Sequence, residues 1–199
     1  RAFEYLVACF PESFPQAPIV RALMRESTAK MESIRAGVES GGVESWLEME
    51  KVIALQREVL LGNPLLDFDM LLLVRRKHQD LGLPANWQSN CVLRKTGYGN
   101  DIAVLHPVTP GGRMTSIYRP DDDTFVGDVD LCSDATRLMF SKPGAKSPWQ
   151  VYEVDIDPDT GALLSRPRQV TPDQGADVNN YDPCYLPNGD ILYSSTAPM

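Results

Sequence analysis

The first third of the chain places apolar residues three or four positions apart, which is the spacing of one face of an α-helix. One run comprises Val20, Leu23, Met24, Met31, Ile34 and Val38, and a second comprises Trp46, Leu47, Met49, Ile53, Val59 and Leu60. Gly41-Gly42 separates the two runs, and Gly62-Asn63-Pro64 follows the second. Because glycine and proline end helices, we predict a helical hairpin over residues 18–62.

Residues 1–17 do not share this spacing. Phe3 to Phe10 is mostly apolar and fits a strand, and Pro11 and Pro15 then interrupt it. We therefore predict an extended lead-in over residues 1–17.

From residue 63 the apolar spacing changes to that of β-strands. Met70–Arg76 resembles a buried strand that emerges into solvent, Asp101–His106 a second strand, and Trp149–Ile156 alternates in the manner of a half-buried strand. Pro110-Gly111-Gly112 and Pro158-Asp159-Thr160-Gly161 indicate turns between strands. The second part of the chain is therefore predicted to be β.

A short passage occurs twice in this β region. Residues 133–141 align with residues 186–194, which lie 53 positions later, and in each copy an Asp-rich or Asn-rich lead-in precedes a turn and an apolar strand. A repeat of ~40–50 residues built from such strands is typical of a β-propeller blade. We predict a mainly β chain in which residues 63–199 form the first two to three blades of an incomplete β-propeller, preceded by the helical hairpin. Because a propeller closes with ~4–8 blades, we expect a fragment of a longer protein.

Composition supports the division near residue 63. Residues 1–80 contain nine of the ten Glu residues, whereas residues 81–199 contain fourteen of the seventeen Asp residues. Glu is tolerated within helices, and Asp prefers caps and turns. The net charge of -8 without a basic cluster argues against a nucleic-acid partner. The apolar run Met70–Val74 is too short to span a membrane.

The polar faces of the predicted hairpin mix Glu with Lys and Arg. This pattern indicates that the hairpin braces the following domain, and a coiled-coil contact is the alternative. We accordingly expect the partners of the chain to be a protein or the remaining domains of the same polypeptide.

Five polar residues are the best candidates for a ligand site. Because they precede equivalent strands of successive blades, we expect them to meet at one mouth of the propeller channel: Asp128, Asp130, Asn179, Asn180 and Asp182. Oxygen ligands gathered there suit Ca²⁺ or a polar ligand. The alternative is that these side chains cap turns and satisfy backbone N–H groups.

The four cysteines are scattered and form no CxxC motif: Cys9, Cys91, Cys132 and Cys184. Four buried free thiols and a disulfide in an oxidising compartment both fit this spacing.

Several passages resemble one protein family: residues 63–69, 99–105, 125–130 and 180–189. They are similar to the hydrazine synthase alpha-subunit-like proteins with TolB-like propellers, which occur in planctomycete-type bacteria. The resemblance implies a periplasmic or otherwise exported protein.

The resemblance does not imply hydrazine chemistry, because that enzyme uses c-type haem and this sequence has no CxxCH motif. His78 and His106 are expected to be surface or loop residues, and no catalytic residue is carried over. We expect a non-catalytic scaffold or interaction module without a cofactor of its own. The alternative is that the chain is part of a haem-dependent redox enzyme similar to the hydrazine synthase alpha subunit, with haem supplied by segments outside this sequence.

Overall fold

The computed structural model describes residues 2–83 and 92–198, so Cys91 lies outside the described residues. These residues form three α-helices and nine β-strands. The chain divides into two compact units, Arg1–Phe68 and Asp69–Met199. The first unit is helical and the second is built from antiparallel sheets, so the chain is mixed α and β.

The predicted hairpin is present as α2 (Ala17–Glu39) and α3 (Val43–Leu61). Pro18 lies in the first turn of α2, where its missing N–H costs no helical hydrogen bond. Gly41 adopts a φ of 80° between the helices, a conformation that glycine accepts without strain. A Cβ atom at Gly37 would lie 1.9 Å from Ser45 Oγ, so glycine at this position lets the helices approach closely.

The prediction of an extended lead-in was wrong at its start, because Ala2–Cys9 forms a helix, α1. Phe3 and Leu6 lie three positions apart and are both buried, as on one face of a helix. The Phe3 ring meets the Phe14 ring edge to face at 5.8 Å. In a short, mostly apolar run, helical and strand periodicities are hard to distinguish, and here the packing of Phe3 favours the helix.

The β unit contains three sheets that follow the chain in order. The first sheet comprises β1 (Leu71–Arg75), β2 (Asp101–His106) and β3 (Arg113–Tyr118). The second comprises β4 (Gly127–Leu131), β5 (Arg137–Pro143), β6 (Trp149–Asp155) and β7 (Arg168–Gln169). The third comprises β8 (Asn180–Tyr185) and β9 (Ile191–Ser195). Each strand pairs antiparallel with the next, so every sheet is an up-and-down meander.

Two apolar clusters join the first and second sheets. The larger comprises Ile102, Val126, Leu138, Phe140, Val154 and Ile156. The smaller comprises Tyr98, Phe125 and Trp149, in which Phe125 meets Trp149 edge to face at 5.0 Å. The two sheets therefore share one core.

No described helix has both the length and the apolar composition needed to cross a membrane.

Phe140 tests the shared core, because it is fully buried and its ring lies 4.9 Å from that of Tyr118. We expect Phe140→Ala to lower the free energy of unfolding of the β unit by about 3–5 kcal/mol, through lost burial and the cavity left behind. Urea titration followed by intrinsic fluorescence measures this loss. Leu164→Ala is the control, because Leu164 is 68% exposed, and its unfolding midpoint should stay close to that of the wild type.

Candidate functional site

The structure brings the first strands of the second and third sheets together. Asp128 and Asp130 belong to β4, Asn180 and Asp182 belong to β8, and Asn179 directly precedes β8. β8 packs against β4, β5 and β6. The five residues predicted to form a site therefore lie on or beside two neighbouring strands.

The equivalence of these residues differs from the sequence alignment. β4 has a bulge between Gly127 and Asp130, and β8 has one between Tyr181 and Cys184. Asp128 and Asp182 follow the first residue of their bulges, and both have positive φ, 49° and 56°. These two residues are therefore structural equivalents.

By the same alignment, Asp130 corresponds to Cys184 and Asn180 corresponds to Val126. The expectation that all five polar residues occupy matching places was therefore wrong. The cause is the turn that follows each strand. The Cys132 N–H bonds to Arg137 O in the first hairpin, whereas the Leu186 N–H bonds to Asp190 O in the second. The second turn is one residue shorter than the first. When β5 is aligned with β9, β8 is therefore displaced by one position relative to β4.

Most of these side chains are used to join sheets. The Asp130 Oδ2 atom accepts the Tyr185 N–H at 2.7 Å, which links β4 to β8. The Asn179 Oδ1 atom accepts the Trp149 N–H at 3.0 Å. This geometry matches the alternative that the side chains satisfy backbone N–H groups.

Asn180 makes the most buried of these links. Its side chain is fully buried, and its Nδ2 atom donates to Gln150 Oε1 at 3.0 Å. The Thr171 hydroxyl donates to the same Gln150 oxygen at 2.6 Å. Because a buried amide is costly without partners, this network fixes β8 against β6.

The remaining two predicted site residues are Asp128 and Asp182. Asp182 is exposed, and its backbone N–H donates to Ser141 Oγ at 3.1 Å. Burial lowers the pKa of Arg76, and the negative charge of Asp128 opposes that shift. In the described part of the chain, no three His, Cys, Asp or Glu side chains are grouped to hold a metal ion.

Sequence reasoning missed the buried ionic cluster around Glu153. This β6 carboxylate is 2% exposed and lies 3.3 Å from Arg137 on β5. Arg168 on β7 donates to its other oxygen, and the Tyr185 hydroxyl on β8 donates to Oε1 at 2.8 Å. One side chain thus connects four strands in two sheets. The available signal was that Glu153 is the single Glu after residue 81, within an alternating strand.

Tyr185 acts in this cluster as a hydrogen-bond donor. Burial raises its pKa well above the ordinary range, and its hydrogen bond to Glu153 raises it further. The hydroxyl therefore stays protonated at neutral pH. The Arg137 guanidinium lies 5.3 Å from the centre of the Tyr185 ring, which adds a cation–π contact.

Asp101 forms a second buried ionic cluster, in the first sheet. Its carboxylate is 1% exposed and accepts from Arg75 at 2.8 Å and from Arg119 at 3.2 Å. Burial by itself would raise the pKa of Asp101. Hydrogen bonds from Arg75, Ser116 and Arg119 outweigh that effect and hold the pKa below its usual value. This carboxylate is therefore charged and paired at neutral pH.

The described histidines and cysteines lie apart from these clusters. His78 and His106 are exposed, and His106 Nδ1 lies 3.1 Å from Asp69 O. The three described cysteines, Cys9, Cys132 and Cys184, are free thiols. Cys9 is exposed and the other two are half-buried, so the expectation of buried thiols was wrong for Cys9.

Comparison of the chain with protein-family models, with curated proteins and with solved structures found no match.

Tyr185 provides a test of the cluster. We expect Tyr185→Phe to lower the free energy of unfolding by about 1.5–3 kcal/mol, because Glu153 loses a donor to its charged oxygen. Tyr193→Phe is the matched control, because the Tyr193 hydroxyl bonds to no described residue. Chemical denaturation of the variants measures the difference, and equal losses would show that the Glu153 contact is energetically irrelevant.

Asp101 provides a pH test. Its folded pKa lies below its unfolded value of about 3.9, so its ion pairs contribute fully above that value and are lost as the pH falls through it towards the folded pKa. We expect the stability difference between the wild type and Asp101→Asn to be constant between about pH 7 and 5 and to shrink below about pH 4. Denaturation at a series of pH values measures it.

Asp155→Asn is the control for this pH series. Asp155 is exposed and its carboxylate pairs with no described residue. This variant should follow the wild type at every pH. A gap between the wild type and Asp101→Asn that does not change with pH would contradict the role given to the Asp101 ion pairs.

Proposed function

We propose that the β unit consists of consecutive blades of a TolB-like β-propeller, which serves an exported protein as a non-catalytic scaffold or interaction module. The resemblance of several passages to propeller proteins supports export. The geometry of the sheets supports the scaffold role.

The observation that carries the proposal is the side-by-side packing of β4 and β8, which have the same bulge. In a propeller, the first strand of each blade lies nearest the axis, and the later strands follow outward in chain order. The second sheet has this order, from β4 to β7. β4 also packs against β1 of the first sheet, as expected for a blade between two neighbours.

The interaction role is supported by the free edge of β9. β5, the equivalent strand of the second sheet, is paired on both sides by β4 and β6. β9 pairs with β8, and no described strand lies on its other edge. An unpaired edge is a template for a further strand, so the partner is a strand of the same polypeptide or of another protein.

The non-catalytic role is supported by the use of the polar residues. The side chains of Asp130, Asn179 and Asn180 hold neighbouring strands together. Glu153 and Asp101 are buried and paired with arginines. Their free energy of interaction therefore contributes to the arrangement of the sheets.

Hydrogen–deuterium exchange of the purified chain tests the free edge. We expect the amides of β9 to exchange faster than those of β5, because part of the β9 backbone faces solvent. Pairing of a further strand with the free edge should slow the exchange of the β9 amides and leave that of the β5 amides unchanged. Equal protection of β9 and β5 in the purified chain without an added strand would overturn the proposal that β9 is an open edge.

A further inference from the structure

The helix α3 has two apolar faces on opposite sides. Val52, Leu55 and Val59 are half-buried and line the grooves between α3 and α2. The opposite face is exposed and comprises Val43, Trp46, Leu47, Ile53, Leu60 and Leu61. Trp46, Ile53 and Leu60 lie seven positions apart, so they form one stripe along the helix.

This exposed face is unusually apolar for a surface. Trp46 is 54% exposed and Leu47 is 53% exposed, and no residue of α3 is fully buried. Contiguous exposed apolar side chains of this kind mark interaction surfaces. α2 already occupies the other side of α3, so the partner must bind the face that contains Trp46.

Two opposite charges lie in the middle of the same face. Glu50 and Arg57 are seven positions apart, are both exposed, and form no ion pair with any described residue. They lie at nearly equal distances on either side of Ile53 and Ala54. This placement decides which orientation of two identical helices is favourable.

A parallel pair of α3 helices would bring Glu50 against Glu50 and Arg57 against Arg57, which is repulsive. An antiparallel pair centred between Ile53 and Ala54 brings Glu50 against the partner's Arg57, twice. The same register brings Trp46 and Leu47 of one helix to the level of Leu60 and Leu61 of its partner, so apolar side chains meet at both ends of the contact. The face is therefore complementary to itself under a twofold rotation, as a symmetric dimer requires.

We propose that this chain forms a twofold-symmetric dimer through α3, in which the exposed apolar faces pack antiparallel and Glu50 pairs with the partner's Arg57. The occupant of the face is a second copy of the chain. This interface is independent of the role proposed for the β unit, because it uses residues of the helical unit alone.

Charge exchange on the full chain tests the proposal, with the molar mass measured by light scattering after size exclusion. The wild type should have twice the monomer mass of 22.1 kDa. Glu50→Arg and Arg57→Glu should each be monomeric, because each brings like charges together. The double variant Glu50→Arg/Arg57→Glu should be dimeric again, because the pair is restored with its signs exchanged.

Glu32→Arg is the matched control. Glu32 is exposed on α2, and the substitution makes the same change in net charge as Glu50→Arg. This variant should stay dimeric. Circular dichroism verifies that every variant keeps its helices, which is expected because Glu50 and Arg57 are exposed.

Three results would overturn the proposal. A wild type that is monomeric at about 100 µM, where a micromolar complex is largely formed, would leave the face to a different partner. A dimer that the single substitutions do not affect would place the interface elsewhere, for example at the β9 edge. Single variants that dissociate without rescue in the double variant would show that Glu50 does not pair with the partner's Arg57.

Discussion

Buried polar side chains are stabilised by hydrogen-bond partners, and several in this chain have a partner on a neighbouring sheet. Asn180 bonds to Gln150, Asp130 accepts the Tyr185 N–H, and Glu153 accepts the Tyr185 hydroxyl. Apolar contacts alone would tolerate a sliding of β8 along β4 and β6. The directional hydrogen bonds exclude it, because each shift would leave a buried group unpaired. The relative placement of the second and third sheets depends on these bonds.

The same constraint explains how the residues of the predicted ligand site are used in the structure. Considered without their neighbours, Asp and Asn residues beside the first strand of a sheet suit a cation or a polar ligand. Here Asn179, Asn180 and Asp130 already bond to groups on the neighbouring sheet. Two exposed features of the described residues suit recognition, the backbone at the edge of β9 and the apolar face of α3. Both surfaces suit a role in assembly.

The sequence predicts the regular parts of the fold well because their patterns are local. The β2 strand has its predicted limits, Asp101–His106, and both hairpin helices lie where the apolar spacing places them. The structure differs from the predictions where distant residues decide. Packing of Phe3 against Phe14 favours a helix for α1. A turn that is one residue shorter makes Asp182 the structural equivalent of Asp128. The partners of Glu153 come from three other strands.

The proposed arrangement of the three sheets as successive blades around one axis is tested most directly by an experimental structure of the protein. The account predicts that β4 and β8 lie side by side along a central channel, with a further strand paired to the free edge of β9. Sheets stacked face to face as a sandwich, or a β9 edge covered by a helix, would contradict it.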